Sequence, residues 1–102
     1  MIKMIALYKH PENKEAFDEY YFNTHIPLTE KIPGLQKCVA TRITGSPMGG
    51  ETPYYMMAEM YYEDMAAFKA AMKTDEAKAS GKDAMKFAGD ILTLMIGEEV
   101  NE

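Results

Sequence analysis

The chain predicts an α+β fold, a four-stranded antiparallel sheet with helices on one face, and three observations lead there. Four runs of apolar and β-compatible residues, "IKMIALY", "LQKCVATRIT", "YYMMAEMYY" and "ILTLMIGEEV", are set apart by two stretches with apolar residues at helical spacing. The connection between the second and third runs is a Gly/Pro loop, "GSPMGGETP", which suits a hairpin. At 102 residues there is room for one domain, and so short a chain buries a smaller share of its surface than a long one, so a partner subunit would add core.

In chain order, residues 2 to 8 form the first strand and stop at "KHPEN", where Pro and Asn punctuate. From about residue 12 to 25, Phe17, Tyr20, Tyr21 and Thr24, then Leu28, recur at three and four and make one face of a helix. Glu12, Glu15, Asp18 and Glu19 lie off that stripe or near the positive helix N-terminus, where a carboxylate is solvated or favoured. Pro27 lacks an N–H and draws Ile26 away from helical dihedrals, so the helix is predicted to bend or end near His25, with "PLTEK" as a short further turn and Pro33-Gly34 as the stop. Residues 35–44 and 54–62 read as the hairpin strands. Met65, Phe68 and Met72 place a helix over 64–73, Thr74 caps another to about residue 88, and 91–100 close as the last strand. The order β-α-β-β-α-β is the split β-α-β, ferredoxin-like arrangement.

In the third strand Tyr55, Met57 and Tyr61 point one way while Tyr54, Met56, Ala58, Met60 and Tyr62 point the other, so both faces are apolar. Ile5 and Leu7 in the first strand and Met95 in the last extend the first of these faces. A sheet with a wet face would alternate with polar residues. The economical cover for the face the helices leave bare is a second copy, giving a homodimer packed sheet to sheet, with an apolar small-molecule cavity lined by Tyr, Met and Ile between the sheets.

Composition narrows the function classes. Net charge is -5, with 16 acidic against 11 basic residues and no basic stripe, which argues against nucleic acid. Runs such as "MIALY" and "ILTLMI" are far short of a membrane span, and the N-terminus enters a strand pattern without a signal-peptide layout, so a soluble cytoplasmic protein is expected. The single Cys38 excludes an internal disulfide and a Cys-rich metal site and reads as a small buried hydrophobe. There is no paired-His metal motif, no "GxSxG", and "GSPMGG" lacks the Gly-Lys-Ser/Thr of a phosphate-binding loop. No metal or other cofactor is expected.

Two residues stand out as acid–base candidates. Glu59 is the lone charge in the row Tyr55-Met57-Glu59-Tyr61; unpaired and buried it would have a raised pKa suited to proton transfer, whereas paired with Arg42 of the neighbouring strand it is structural. His25, four residues after Tyr21, is either a helix-end residue satisfying the last carbonyls or a polar group at the mouth of the apolar pocket, with a pKa close enough to neutrality to move a proton. His10, beside Pro11, reads as an exposed loop residue. Tyr8, Tyr20, Tyr21, Tyr55 and Tyr61 can bond a ligand, although a buried Tyr more often bonds to backbone.

The stretch "FDEYYFNTHIPLTEKIPGLQK", residues 17 to 37, resembles the signature of the EthD-like family, named after a protein of ethyl tert-butyl ether degradation, in which an aromatic helix runs into His-x-Pro-Leu and then Pro-Gly. Here those positions are His25, Pro27, Leu28, Pro33 and Gly34, and the resemblance extends over the full chain in length and element order. One departure is Tyr20-Tyr21, where a Trp is frequent in the family. The resemblance implies a dimeric α+β barrel, a fold that hosts cofactor-free monooxygenases, polyketide cyclases, isomerases, aldoxime dehydratases and haem-degrading enzymes, and it implies an association with oxidoreductase systems. On this basis the chain is expected to bind a hydrophobic, carbonyl- or phenol-bearing compound. His25 would be the general acid or base and Glu59 a second one, with Tyr21, Arg42, Tyr55, Met57, Tyr61 and Met95 as substrate contacts. The competing expectations are an isomerase, cyclase or lyase of the same fold, a non-catalytic binder or accessory protein, and, last, haem ligation through His25.

Overall fold

The computed structural model describes residues 1–101. Its elements are β1 (Ile2–Lys9), α1 (Lys14–Tyr20), a π-helical turn (Tyr21–His25), α2 (Ile26–Glu30), β2 (Lys37–Arg42), β3 (Tyr54–Tyr62), α3 (Met65–Met72), α4 (Asp75–Ala88) and β4 (Leu92–Glu98). The four strands pair antiparallel in the order β2-β3-β1-β4, the ferredoxin-like sheet. Short polar side chains start the helices, at Thr74 as the sequence suggests: Asn13 accepts from the Ala16 N–H, Asp64 from Ala67 and Thr74 from Ala77, each supplying an acceptor to a first-turn donor that has no partner within its helix.

The segment before Pro27 departs from expectation. His25 and Ile26 both keep helical dihedrals, and the chain runs from α1 into α2 without a break. The Ile26 N–H bonds back to the Tyr21 carbonyl, five residues away, so the helix absorbs one extra residue. A proline ring in a regular helix collides with the carbonyl four residues before it, here that of Asn23, and a widened turn relieves that contact while keeping the helix intact. After α2 the chain turns at Gly34, whose φ of +88° lies in the left-handed region that glycine enters without strain.

The strand register sorts the sheet into two faces. On the helix side lie the rows Cys38-Met60-Met4-Ile96 and Ala40-Ala58-Ala6-Leu94; on the other lie Val39-Glu59-Ile5-Met95, Thr41-Met57-Leu7-Thr93 and Lys37-Tyr61-Lys3-Gly97. Tyr55 breaks the alternation. The register slips between Tyr8 and Lys9, which pair with Met56 and Tyr54, so Tyr55 is the extra residue of a β-bulge. Tyr55 and Met56 are therefore both buried. Tyr55 packs edge-on against Phe17 of α1 and donates its hydroxyl to Asp18 at 2.8 Å, so it belongs with the helix layer and not with Met57 and Tyr61.

Candidate functional site

A cavity lies inside the chain, between helices and sheet, on the opposite side of the sheet from the face over which the sequence suggested one. It measures about 240 Å³. Its floor is the row in which Ala58 and Ala6 stand side by side, and the α4 stripe above supplies Ala77, Ser80, Gly81 and Ala84. Small residues facing small residues leave the layer unfilled, where Leu or Phe at the same positions would have closed it. Tyr21, His25 and Thr29, spaced by four along the helical segment, reach in from one wall, and Tyr8 and Tyr62 from opposite ends of the sheet.

His25 is 6% exposed. Its Nδ1 lies 3.0 Å from Oδ2 of Asp83 on α4, and the other oxygen of that carboxylate accepts the Tyr20 hydroxyl. The ring stacks on Tyr21, at 5.8 Å between centroids, and leans on Phe87 at 5.0 Å. Burial holds the imidazole pKa below its ordinary value, against the opposing pull of the Asp83 hydrogen bond and charge. The lowered pKa favours the neutral ring, and a neutral ring that donates Nδ1–H to the Asp83 carboxylate keeps a lone pair on Nε2, for which no hydrogen bond is found among the described residues. A neutral imidazole oriented by a carboxylate is a general base.

The remaining polar groups of the lining fall into two kinds. One of the Thr29 and Ser80 hydroxyls donates to the other at 2.7 Å, and the accepting hydroxyl keeps an O–H of its own. The hydroxyls of Tyr21 and Tyr62 are buried without any partner among the described residues. Such a group costs roughly 1–3 kcal/mol. Burial raises the pKa of both phenols, so both stay protonated.

Of the side chains singled out from sequence, the structure brings Tyr21 and His25 together. Glu59 sits across the sheet from them and pairs with Lys3 at 2.7 Å, not with Arg42. Register explains the exchange of partners: Val39 is the residue opposite Glu59, and Arg42, three residues further on, faces the helix side. There Arg42 bonds Asp18 at 2.8 Å and lies near the rings of Phe22 and Tyr55. Met57, Tyr61 and Met95 lie on the bare face with Glu59, away from the cavity. His10 is exposed, its Nε2 beside the Thr52 carbonyl.

Asp83 and Tyr62 are the site residues that sequence reasoning missed. Asp83 sits three residues after Ser80 and four before Phe87, a helical spacing that puts a carboxylate next to the inward stripe of α4, and that was the available signal. Tyr62 was placed on the correct face but not singled out.

Comparison with known proteins places this arrangement. Residues 9–91, which contain both His25 and Asp83, match the model of the EthD domain. The chain belongs to the EthD family. A solved EthD family protein from Bacillus halodurans is 67% identical, with 98% of this chain and 99% of that chain covered and a TM-score of 0.94. A second relative, an uncharacterised 11.0 kDa protein from the thcB-thcC intergenic region of Rhodococcus erythropolis, is 29% identical over 97% of this chain and 95% of its own length. A dimeric ferredoxin-like protein from Thermobifida fusca, 16% identical with a TM-score of 0.68 over 96% of this chain and 90% of that chain, shares the fold. Among the described residues of this EthD chain no helix is long and apolar enough to cross a membrane.

Proposed function

We propose that this EthD protein is an acid–base enzyme acting on a small, largely apolar molecule held between its helices and its sheet, with His25 as the base and Asp83 as the residue that positions it. The observation carrying this reading is the buried His25–Asp83 pair opening onto an apolar cavity. Proton abstraction in a dry site is the first step shared by isomerisation, cyclisation and oxygenation of a stabilised carbanion, so the reading is compatible with the oxidoreductase association of the family without requiring it. The proton transfer itself needs only the protein's own side chains, and no cofactor enters the proposal. The cavity is below the roughly 300–1,000 Å³ typical of drug-sized sites, which argues against haem and for a compound of one ring or its aliphatic equivalent.

The bare sheet face belongs to the same proposal. Ile5, Leu7, Met57, Val39 and Met95 form an apolar field there, and a second copy of the chain is its natural cover, the assembly named for the Thermobifida fusca fold relative. Catalysis and dimerisation then occupy opposite faces of one sheet.

The test is exchange of carbon-bound hydrogen for deuterium in a panel of small ketones and phenols dissolved in D2O. The wild-type protein is expected to accelerate exchange for at least one compound, His25→Asn to abolish it, and Asp83→Asn to slow it while retaining ligand binding. Binding without exchange in every form would instead support a carrier or accessory protein.

A further inference from the structure

The turn that carries the helix through Pro27 also governs which side chains meet Asp83. Tyr20 immediately precedes that turn and His25 ends it, five residues further on. In a regular α-helix of roughly 3.6 residues per turn, side chains five apart diverge by about 140° around the axis and leave on different sides. Here the Ile26 N–H reaches back five residues to the Tyr21 carbonyl, and a turn closed over five residues brings residue i+5 round to the side of residue i. Tyr20 and His25 accordingly share one carboxylate: the Tyr20 hydroxyl donates to Oδ1 of Asp83, and His25 Nδ1 lies 3.0 Å from Oδ2. Phe87, one turn beyond Asp83 on α4, packs against both rings, with centroids 4.9 Å from that of Tyr20 and 5.0 Å from that of His25. Tyr20 itself does not line the cavity, so its hydroxyl reaches the site through Asp83.

We infer that Tyr20 is a second positioning residue of the site, delivered by the π-helical turn and acting on His25 through Asp83. This inference rests on the proposed acid–base function and adds a member to its machinery. With a donor on each oxygen, the carboxylate cannot rotate without breaking a hydrogen bond, so Oδ2 stays on Nδ1 and the neutral ring keeps its proton there. The Tyr20 O–H also draws off part of the carboxylate charge, which limits how strongly Asp83 stabilises the imidazolium. The same hydrogen bond raises the Tyr20 pKa, so the phenol remains a donor. The groups facing the His25 ring are the Asp83 carboxylate, the stacked phenol of Tyr21, and the phenols of Tyr8 and Tyr62 across the cavity. Burial keeps those phenols protonated, so the charge acting on His25 is that of Asp83. Control of Asp83 is therefore control of the base.

The experiment follows the ring nitrogens of His25 by NMR of nitrogen-labelled protein through a pH series, in the ligand-free wild type, Tyr20→Phe and Asp83→Asn. The His25 signals are those missing from His25→Asn. In the wild type the neutral ring is expected with its proton on Nδ1. Tyr20→Phe keeps the aromatic ring against Phe87 and removes the donor, so Asp83 pulls harder and the protonation constant of His25 should rise at least about threefold. Asp83→Asn should move it in the opposite direction. A fall in Tm for Tyr20→Phe with His25 protonation unchanged would mean that Tyr20 only ties two helices together, and it would overturn the inference. A wild-type ring with its proton on Nε2 would overturn it as well. A measurement on the wild type covers the case in which Tyr20→Phe does not fold: near freezing, the Tyr20 hydroxyl proton should give a downfield resonance with a cross-peak to its own ring, lost in Asp83→Asn, and its absence would sink the inference. Failure of the acid–base reading looks different: the shift of His25 in Tyr20→Phe persists, but no compound of the ketone and phenol panel exchanges deuterium in any form.

Discussion

The two faces of the sheet are both apolar, yet they are built differently. The helix-facing side combines large aromatics with a row of alanines, so it is buried and still incompletely filled. The bare side carries medium aliphatic residues around a charged cluster in which Lys3 pairs with Glu59 and the Lys3 and Lys37 ammoniums lie near the Tyr61 ring. Its edge residue Met95 is 40% exposed. A cavity needs mismatch in size between layers, whereas an interface needs a continuous, flat apolar field with polar groups that define register. The same alternating pattern supplies both because successive side chains leave a strand on opposite sides.

Substitutions that touch one face and not the other test this division. The largest effect is expected on the helix side, where His25→Ala should lower turnover by about 10²–10⁴-fold, the usual contribution of a positioned general base, without changing the oligomeric state measured by sedimentation. On the bare side Ile5→Asp would place a second carboxylate directly opposite Glu59. It should weaken self-association by at least about thirtyfold, equivalent to roughly 2 kcal/mol, and leave probe binding in the cavity intact.

A subtler effect concerns pH. The folded state holds the His25 pKa below its ordinary 6.5, so below pH 6.5 the unfolded chain binds a proton that the folded chain resists. Stability is therefore full above that pH and falls as pH drops from 6.5 toward the folded-state pKa. Chemical denaturation at a series of pH values should show this slope for the wild-type protein and a flatter one for His25→Asn. The smallest effect is expected for Lys3→Met. Its partly exposed ion pair with Glu59 gains little over solvation of the separate charges, so any change in Tm should be slight unless Glu59 is buried by a partner subunit. A larger drop in the dimer than in the Ile5→Asp variant would locate that cluster inside the interface.

Much of the fold could be read directly. Strand three was placed at 54–62, and the cap expected at Thr74 is there. Less of the site was legible. His25 stood out by its place after an aromatic stripe, but its partner Asp83 is 58 residues away on another helix. Tyr55 was assigned to the wrong side because strict alternation was assumed through a residue that turns out to be a bulge. Pro27 was read as a bend or end of the helix because the widened turn that carries the helix through it depends on hydrogen bonds that local preference does not reveal.

By itself the sequence determined the order of elements and the two-sided sheet, since these follow from spacing, turn chemistry and periodicity along the chain. Only the tertiary structure decided that a cavity lies between the helices and the sheet, that Lys3 and not Arg42 neutralises Glu59, and that Asp83 meets His25 at the wall of that cavity. The reason is physical: cavity volume and ion pairing depend on strand register and on how two layers fit together, and both are properties of contacts between residues far apart in the chain.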